Sequence, residues 1–169
     1  MPTHLPDLID PLVCADQGWR CRGKLPLRCL SRLRDMILNL DDAVDVDLSF
    51  AREGRTAVIT GRVSADLEVI CQRCLEPLWI EVRSSVNLGV VTSIDEGDLL
   101  PEPYEPLLLT EARIPFGDIV EDELILAIPP IPRHADCEPA AFKTGDATEK
   151  ASERRNPFAE LEKLKTDNS

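Results

Sequence analysis

The chain is short of aromatic rings, short of positive charge, and has no long hydrophobic run. Aromatic residues make up 4% of its 169 positions. Single-strand RNA binders set stacking platforms beside their cations, and this composition shows none. Lys and Arg number 19 against 31 Asp and Glu, for a formal net charge of −12. A surface with that excess repels phosphate backbones, so general nucleic-acid binding is disfavoured. Any RNA contact has to be local, and the expected direct partners are basic proteins. The longest apolar stretch, residues 124–131, is far below the ~20 residues that a membrane-spanning helix needs. No basic segment precedes an apolar run near the start, so neither a secretory leader nor a membrane role is expected, and the expected location is cytoplasmic. In a reducing compartment, six cysteines are not expected to form a disulfide framework.

What the chain has is alternation. Hydrophobic residues fill 43% of positions, enough for one sizeable core. Ala57, Ile59, Val63, Ala65, Leu67 and Val69 share one parity, against Thr60, Arg62, Ser64, Asp66 and Glu68 on the other. Leu78, Ile80, Val82, Val86, Leu88 and Val90 alternate in the same way with Glu81, Arg83, Ser85 and Asn87. Period-two patterns mark half-buried antiparallel strands, because successive side chains point to opposite faces. Val44, Val46, Leu48 and Phe50 add a third strand, so residues 43 to 91 read as a meander. Trp19, Cys21 and Leu25 alternate with Arg20, Arg22 and Lys24 in a further strand-like stretch.

Two helices are expected around this sheet. After Pro26, the apolar residues Leu30, Leu33, Ile37 and Leu40 recur at helical spacing. A second helix is expected from Gly117-Asp118, with Asp118 as cap, Glu121 completing a capping box and Pro129-Pro130 ending it. Glu121-Asp122-Glu123 reads as an acidic first turn matching the helix dipole rather than as a catalytic cluster. Residues 1–18 read as an irregular lead-in, and 92–105 as an acidic loop followed by one short strand. Residues 1–40 hold six Lys/Arg and four Asp/Glu, the only basic concentration. Arg20, Arg22, Lys24, Arg28 and Arg32 are therefore the candidates for contact with RNA or an acidic partner, against the commoner reading of a solvated charged face.

The chemistry-bearing residues are Cys71 and Cys74, a Cys-x-x-Cys turn between two strands, and His134 and Cys137, which repeat the spacing. Two ligands three apart in a tight turn can chelate one ion at tetrahedral angles. Thiolates with imidazole suit zinc better than magnesium or calcium. The favoured reading is a structural zinc site; buried free thiols and a redox dithiol are the alternatives. A redox dithiol prefers a helix N-terminus, and here the pair sits at a hairpin tip. Cys14, Cys21 and Cys29 read as small apolar residues.

Beyond residue 137 the hydrophobic content falls, so residues 138–155 read as a flexible linker. Asn156-Pro157 marks a helix start, and Phe158, Leu161 and Leu164 form a narrow apolar stripe over 156–165. A helix that short is marginal alone and is a candidate for docking into a partner's groove.

Four blocks then resemble one family. They are residues 67–77 around Cys71-Gln72-Arg73-Cys74-Leu75-Glu76-Pro77, residues 100–106 (Leu-Pro-Glu-Pro-Tyr-Glu-Pro), residues 120–129 and Asn156-Pro157-Phe158-Ala159-Glu160-Leu161. In this order they resemble the bacterial large ribosomal RNA subunit accumulation proteins, the YceD-like family. The resemblance implies a cytoplasmic ribosome-biogenesis factor needed for synthesis, processing or stability of 23S rRNA, with no catalytic residues to carry over.

The expected protein is thus an α+β domain over residues 1–137, an antiparallel β-meander with packed helices, followed by the linker and the short helix. It is expected to be non-enzymatic, to hold zinc, and to act through ribosomal or rRNA-processing proteins, with at most local contact to a 23S rRNA precursor. The rival is a thiol oxidoreductase using Cys71 and Cys74.

Overall fold

The alternating segments become neighbouring strands. In the computed structural model, which describes residues 5–140, the elements run β1 (Leu8–Ile9), α1 (Pro11–Asp16), β2 (Arg20–Pro26), β3 (Ala43–Glu53), β4 (Thr56–Ile70) and β5 (Pro77–Val91). They continue with α2 (Ile94–Gly97), β6 (Glu105–Leu108), β7 (Ile114–Pro115) and α3 (Phe116–Ala127). Five strands form one sheet in the order β2-β3-β4-β5-β6, with β1 and β7 paired separately. Strands β2 to β5 are antiparallel, and β6 joins the β5 edge in parallel. The fold is α+β, as expected.

The inner face of the sheet carries the apolar parity. Val44, Val46, Leu48 and Phe50 of β3, Ile59, Val63 and Leu67 of β4, and Val82 and Val86 of β5 are all buried. Each such side chain removed from water stabilises the fold by roughly 1.5–3 kcal/mol. Helix α3 packs on β4 and β5 through Phe116, Ile119, Val120 and Leu124. Trp19 lies on this side, with its ring centroid 5.2 Å from Phe50 and 6.3 Å from Phe116. The aromatic residue nearest the arginines in sequence is therefore half-buried and packed against the core.

Among the described residues, the outer face is covered at the end of β5. A Cβ on Gly89 would meet the Leu100 side chain at 2.6 Å, so the segment after α2 lies directly against β5 there. Away from that end, polar parity faces solvent, as antiparallel sheets allow. Gly61, with φ +149°, lets β3 and β4 approach closely: a Cβ there would sit 2.1 Å from the Asp47 carbonyl oxygen.

Several expectations change. No continuous helix follows Pro26. Two single 3₁₀ turns, Leu27–Cys29 and Leu33–Asp35, replace it, although Leu30, Leu33 and Ile37 are buried as their spacing suggested. The lead-in contains β1 and α1, and α1 is capped by Asp10, whose Oδ1 accepts from the N–H groups of Leu12 and Val13. The acidic loop contains the short α2, capped by the Ser93 side chain. Helix α3 starts at Phe116 with no side-chain cap, so the Asp118–Glu121 capping box does not form. The linker beyond residue 140 and the apolar stripe of Phe158, Leu161 and Leu164 lie outside the described residues.

Candidate metal centre

The β4–β5 hairpin pairs Ile70 with Pro77, leaving residues 71–76 as its tip. The tip folds back on itself. Cys71 N–H donates to the Glu76 carbonyl at 2.9 Å, and Leu75 N–H donates to the Cys71 carbonyl at 3.0 Å. Leu75 closes the turn at φ +64°, a left-handed conformation that ordinarily falls to glycine, while its side chain is 59% exposed. This turn brings Cys71 and Cys74 onto one side.

The second pair arrives from the other end of the domain. After α3 the chain runs without regular structure to residues 132–137, where the Pro132 carbonyl accepts from Gln72 N–H at 2.8 Å. That bond docks the second segment on the first. The Sγ atoms of Cys71 and Cys137 are then 3.8 Å apart, and Cys74 Sγ lies 3.3 Å from His134 Nδ1. Ligand atoms of all four residues lie within 4.8 Å of one another. The structure thus brings together the four residues that the two spacings singled out.

The arrangement suits one tetrahedral ion. With Zn–S near 2.3 Å and Zn–N near 2.0–2.1 Å, two sulfurs sit about 3.8 Å apart and a sulfur–nitrogen pair about 3.6 Å apart. The electrostatics point the same way. Burial pushes the Cys71 thiol up, but backbone N–H groups of Cys74, Arg73 and His134 outweigh it and hold the thiol down at about 5. Cys74 is raised: its backbone bond with Glu76 favours the thiolate, while desolvation and the neighbouring Cys71 and Cys137 oppose it. Sulfurs this close resist ionising together without a cation between them. The donor set and its spacing form a possible metal-binding site.

The sequence reading missed one member of the cluster. Arg73, inside the Cys-x-x-Cys, donates from Nε to Cys137 Sγ at 2.9 Å and from Nη2 to the carbonyls of His134 (2.9 Å) and Ala135 (3.2 Å). Its guanidinium is raised further, chiefly by the bond to Cys137. The available signal was an arginine held inside a tight turn, within reach of whatever docks there. The remaining cysteines are separate. Burial pushes Cys21 up to about 11 and also raises Cys14, as expected of apolar packing residues, whereas Cys29, expected to be of the same kind, is exposed.

The five basic candidates come from different elements. Arg20, Arg22 and Lys24 stand on the outer face of β2, where the register sets β3 aspartates beside them. Arg20 pairs with Asp47 at 3.5 Å and Lys24 with Asp45 at 2.9 Å. Arg28 lies in the first 3₁₀ turn, exposed. Arg32 is engaged internally: its Nε meets Glu121 Oε2 at 3.0 Å and its Nη1 meets Asp122 Oδ1 at 2.6 Å.

Glu121, only 2% exposed, is the centre of that contact. Its Oε1 accepts from the backbone N–H groups of Arg32 (2.6 Å) and Leu33 (2.8 Å). Glu123 accepts from Ser84 Oγ at 2.7 Å. The acidic run on α3 is therefore structural at these two positions.

Among the described residues, no helix is long and apolar enough to cross a membrane. The family model described as large ribosomal RNA subunit accumulation protein YceD matches residues 59–165. The Haemophilus influenzae large ribosomal RNA subunit accumulation protein YceD is 35% identical over 173 residues, covering 96% of this chain and 97% of its own. No solved structure gives a significant match.

Proposed function

Because the chain belongs to the family of large ribosomal RNA subunit accumulation proteins, YceD, we propose that it is a non-enzymatic ribosome-biogenesis factor supporting synthesis, processing or stability of 23S rRNA in the cytoplasm. The observation that carries this reading is the similarity along nearly the whole chain. Its direct partners are ribosomal or rRNA-processing proteins. A net charge of −12 steers toward cationic proteins and away from phosphate. The cations of β2 sit among carboxylates, which limits any contact with a 23S rRNA precursor to a local one. Phe158, Leu161 and Leu164 remain the candidate partner-docking stripe, on the strength of their spacing.

Cys71, Cys74, His134 and Cys137 would hold a structural zinc ion. When bound, zinc would crosslink the hairpin tip to the segment after α3. The rival reading, a thiol oxidoreductase, draws on the lowered Cys71 thiol. Against it, Cys71 is fully buried, and its low value comes from knuckle N–H groups of the kind that metal-bound thiolates use.

The test is to delete the gene and quantify large- and small-subunit rRNA, then complement with wild type and with Cys74→Ser. A selective fall in 23S relative to 16S rRNA, restored by the wild type, is expected. An unchanged ratio would sink the proposal. Purified protein with stoichiometric zinc supports the crosslink, whereas a reversible Cys71–Cys74 disulfide without metal would favour the oxidoreductase.

A further inference from the structure

We propose that Arg73 is a positioning residue of the metal centre, holding Cys137 as the fourth ligand and supplying the positive charge that a three-thiolate site lacks. The inference rests on reading the four-residue cluster as a metal site.

The geometry is specific. One side chain from the first knuckle reaches three atoms of the second: the Cys137 sulfur and the carbonyls of His134 and Ala135. The last ligand and the backbone of the first two residues of that knuckle are thereby fixed relative to one another. Only a guanidinium can do this. Its Nε–H and Nη–H donors diverge from a rigid plane, whereas an ammonium on a flexible stem offers a point charge. Among the described residues, Arg73 has no carboxylate partner; the ion pairs involve Arg20, Lys24, Arg32, Arg52 and Arg83. Its charge faces sulfur.

The charge arithmetic gives it something to do there. Three thiolates and a neutral imidazole around a divalent ion leave a net charge of about −1. That excess would sit in a protein that is already strongly acidic. One guanidinium on a ligand sulfur would bring the net charge of the centre to about zero. Outer partners of this kind typically change metal affinity by 10–100-fold.

The experiment uses the full chain with Co(II) and Zn(II) as probes. Sulfur-to-cobalt charge-transfer absorption counts the bound thiolates, and competition with a chromogenic chelator gives zinc affinity. Wild type should take one equivalent with the intensity of three thiolates. Arg73→Met should bind zinc about 10–100-fold more weakly and show the intensity of two thiolates, with Cys137 open to alkylation. Arg73→Lys should recover part of the affinity but not the third thiolate. A merely structural staple would lower thermal stability without moving the charge-transfer band. Wild-type affinity and spectrum in Arg73→Met would overturn the inference while leaving the metal site standing. A wild-type chain that takes up neither ion would overturn both. Should Arg73→Met fail to fold by circular dichroism, Arg73→Lys decides: a lost third thiolate supports the assignment, and an unchanged spectrum defeats it.

Discussion

Two polar clusters tie distant parts of this chain together, and they differ in the chemistry of the groups that converge. Around Glu121, α3 is joined to residues 32 and 33 by a carboxylate that accepts two backbone N–H groups and a guanidinium N–H. Nothing further is required of that site: the buried charge has its counter-charge and its hydrogen bonds. At the hairpin tip, three thiols and an imidazole converge within 4.8 Å, and a single guanidinium is the one positive group shown bonded to them. Convergence of polar side chains alone does not mark a ligand site, since both clusters show it. The difference lies in the donors: a carboxylate met by a guanidinium in one cluster, and soft metal-ligating sulfur and imidazole groups in the other.

Emptying each cluster is the way to test that contrast. The largest effect is expected from Cys71→Ser, which removes the buried sulfur at the centre of the knuckle. It should abolish stoichiometric zinc and lower the melting temperature of the zinc-loaded protein by about 10 °C, the shift expected when a ligand held at about 1,000 times its dissociation constant is lost. A chelator should reproduce that shift in the wild type and have no effect on the variant. Equal chelator sensitivity in both would erase the distinction between the clusters.

Glu121→Ala comes next. Breaking a buried charge contact by removing one partner costs about 3–5 kcal/mol, and the half-exposed Arg32 places this case near the lower figure. Denaturant unfolding should show a loss of about 3 kcal/mol with full metal binding retained. A loss below about 1 kcal/mol would mean that the Arg32 and Leu33 N–H groups find other partners.

The position of Leu75 allows a gain. Its left-handed backbone carries an exposed side chain, so Leu75→Gly should stabilise the protein by about 1 kcal/mol, read from the same unfolding curves. A destabilised variant would show that the leucine side chain has contacts worth more than its backbone strain.

Least is expected on the outer sheet face. The Arg20–Asp47 pair spans 3.5 Å, with the arginine 70% exposed, and Asp47→Ala should change stability by less than about 1 kcal/mol. A much larger loss would mean that this face is organised as a site rather than as a solvated surface.

The sheet was legible because its information is local. Alternation from Val44 to Val90 survives in the register of β3, β4 and β5, and the two knuckle spacings named the four metal candidates. The segment 27–40 was not legible, for an identifiable reason. Leu30, Leu33 and Ile37 have helical spacing and do enter the core, but spacing records which residues are buried, not where their backbone donors go. In a helix, the N–H groups of residues 32 and 33 would bond to carbonyls four positions back. Here both go to Glu121, 89 and 88 residues away, and the helix does not form. The same contact explains the missing capping box, because a Glu121 turned toward residues 32 and 33 is not bonded back to Asp118. Arg73 was overlooked for a related reason: its partners lie 61 to 64 residues downstream.

That long reach has a bearing on the order of assembly. A chain is made from its N-terminus, and hairpins of neighbouring strands close cheaply while distant contacts wait on loop closure. Strands β3, β4 and β5 can pair as soon as they emerge. The turns just ahead of them cannot settle, because the carboxylate that receives their backbone donors belongs to residue 121. Residues near the start of the chain therefore acquire their final shape among the last, and a chain truncated before α3 would leave Leu30, Leu33 and Ile37 without a fixed place.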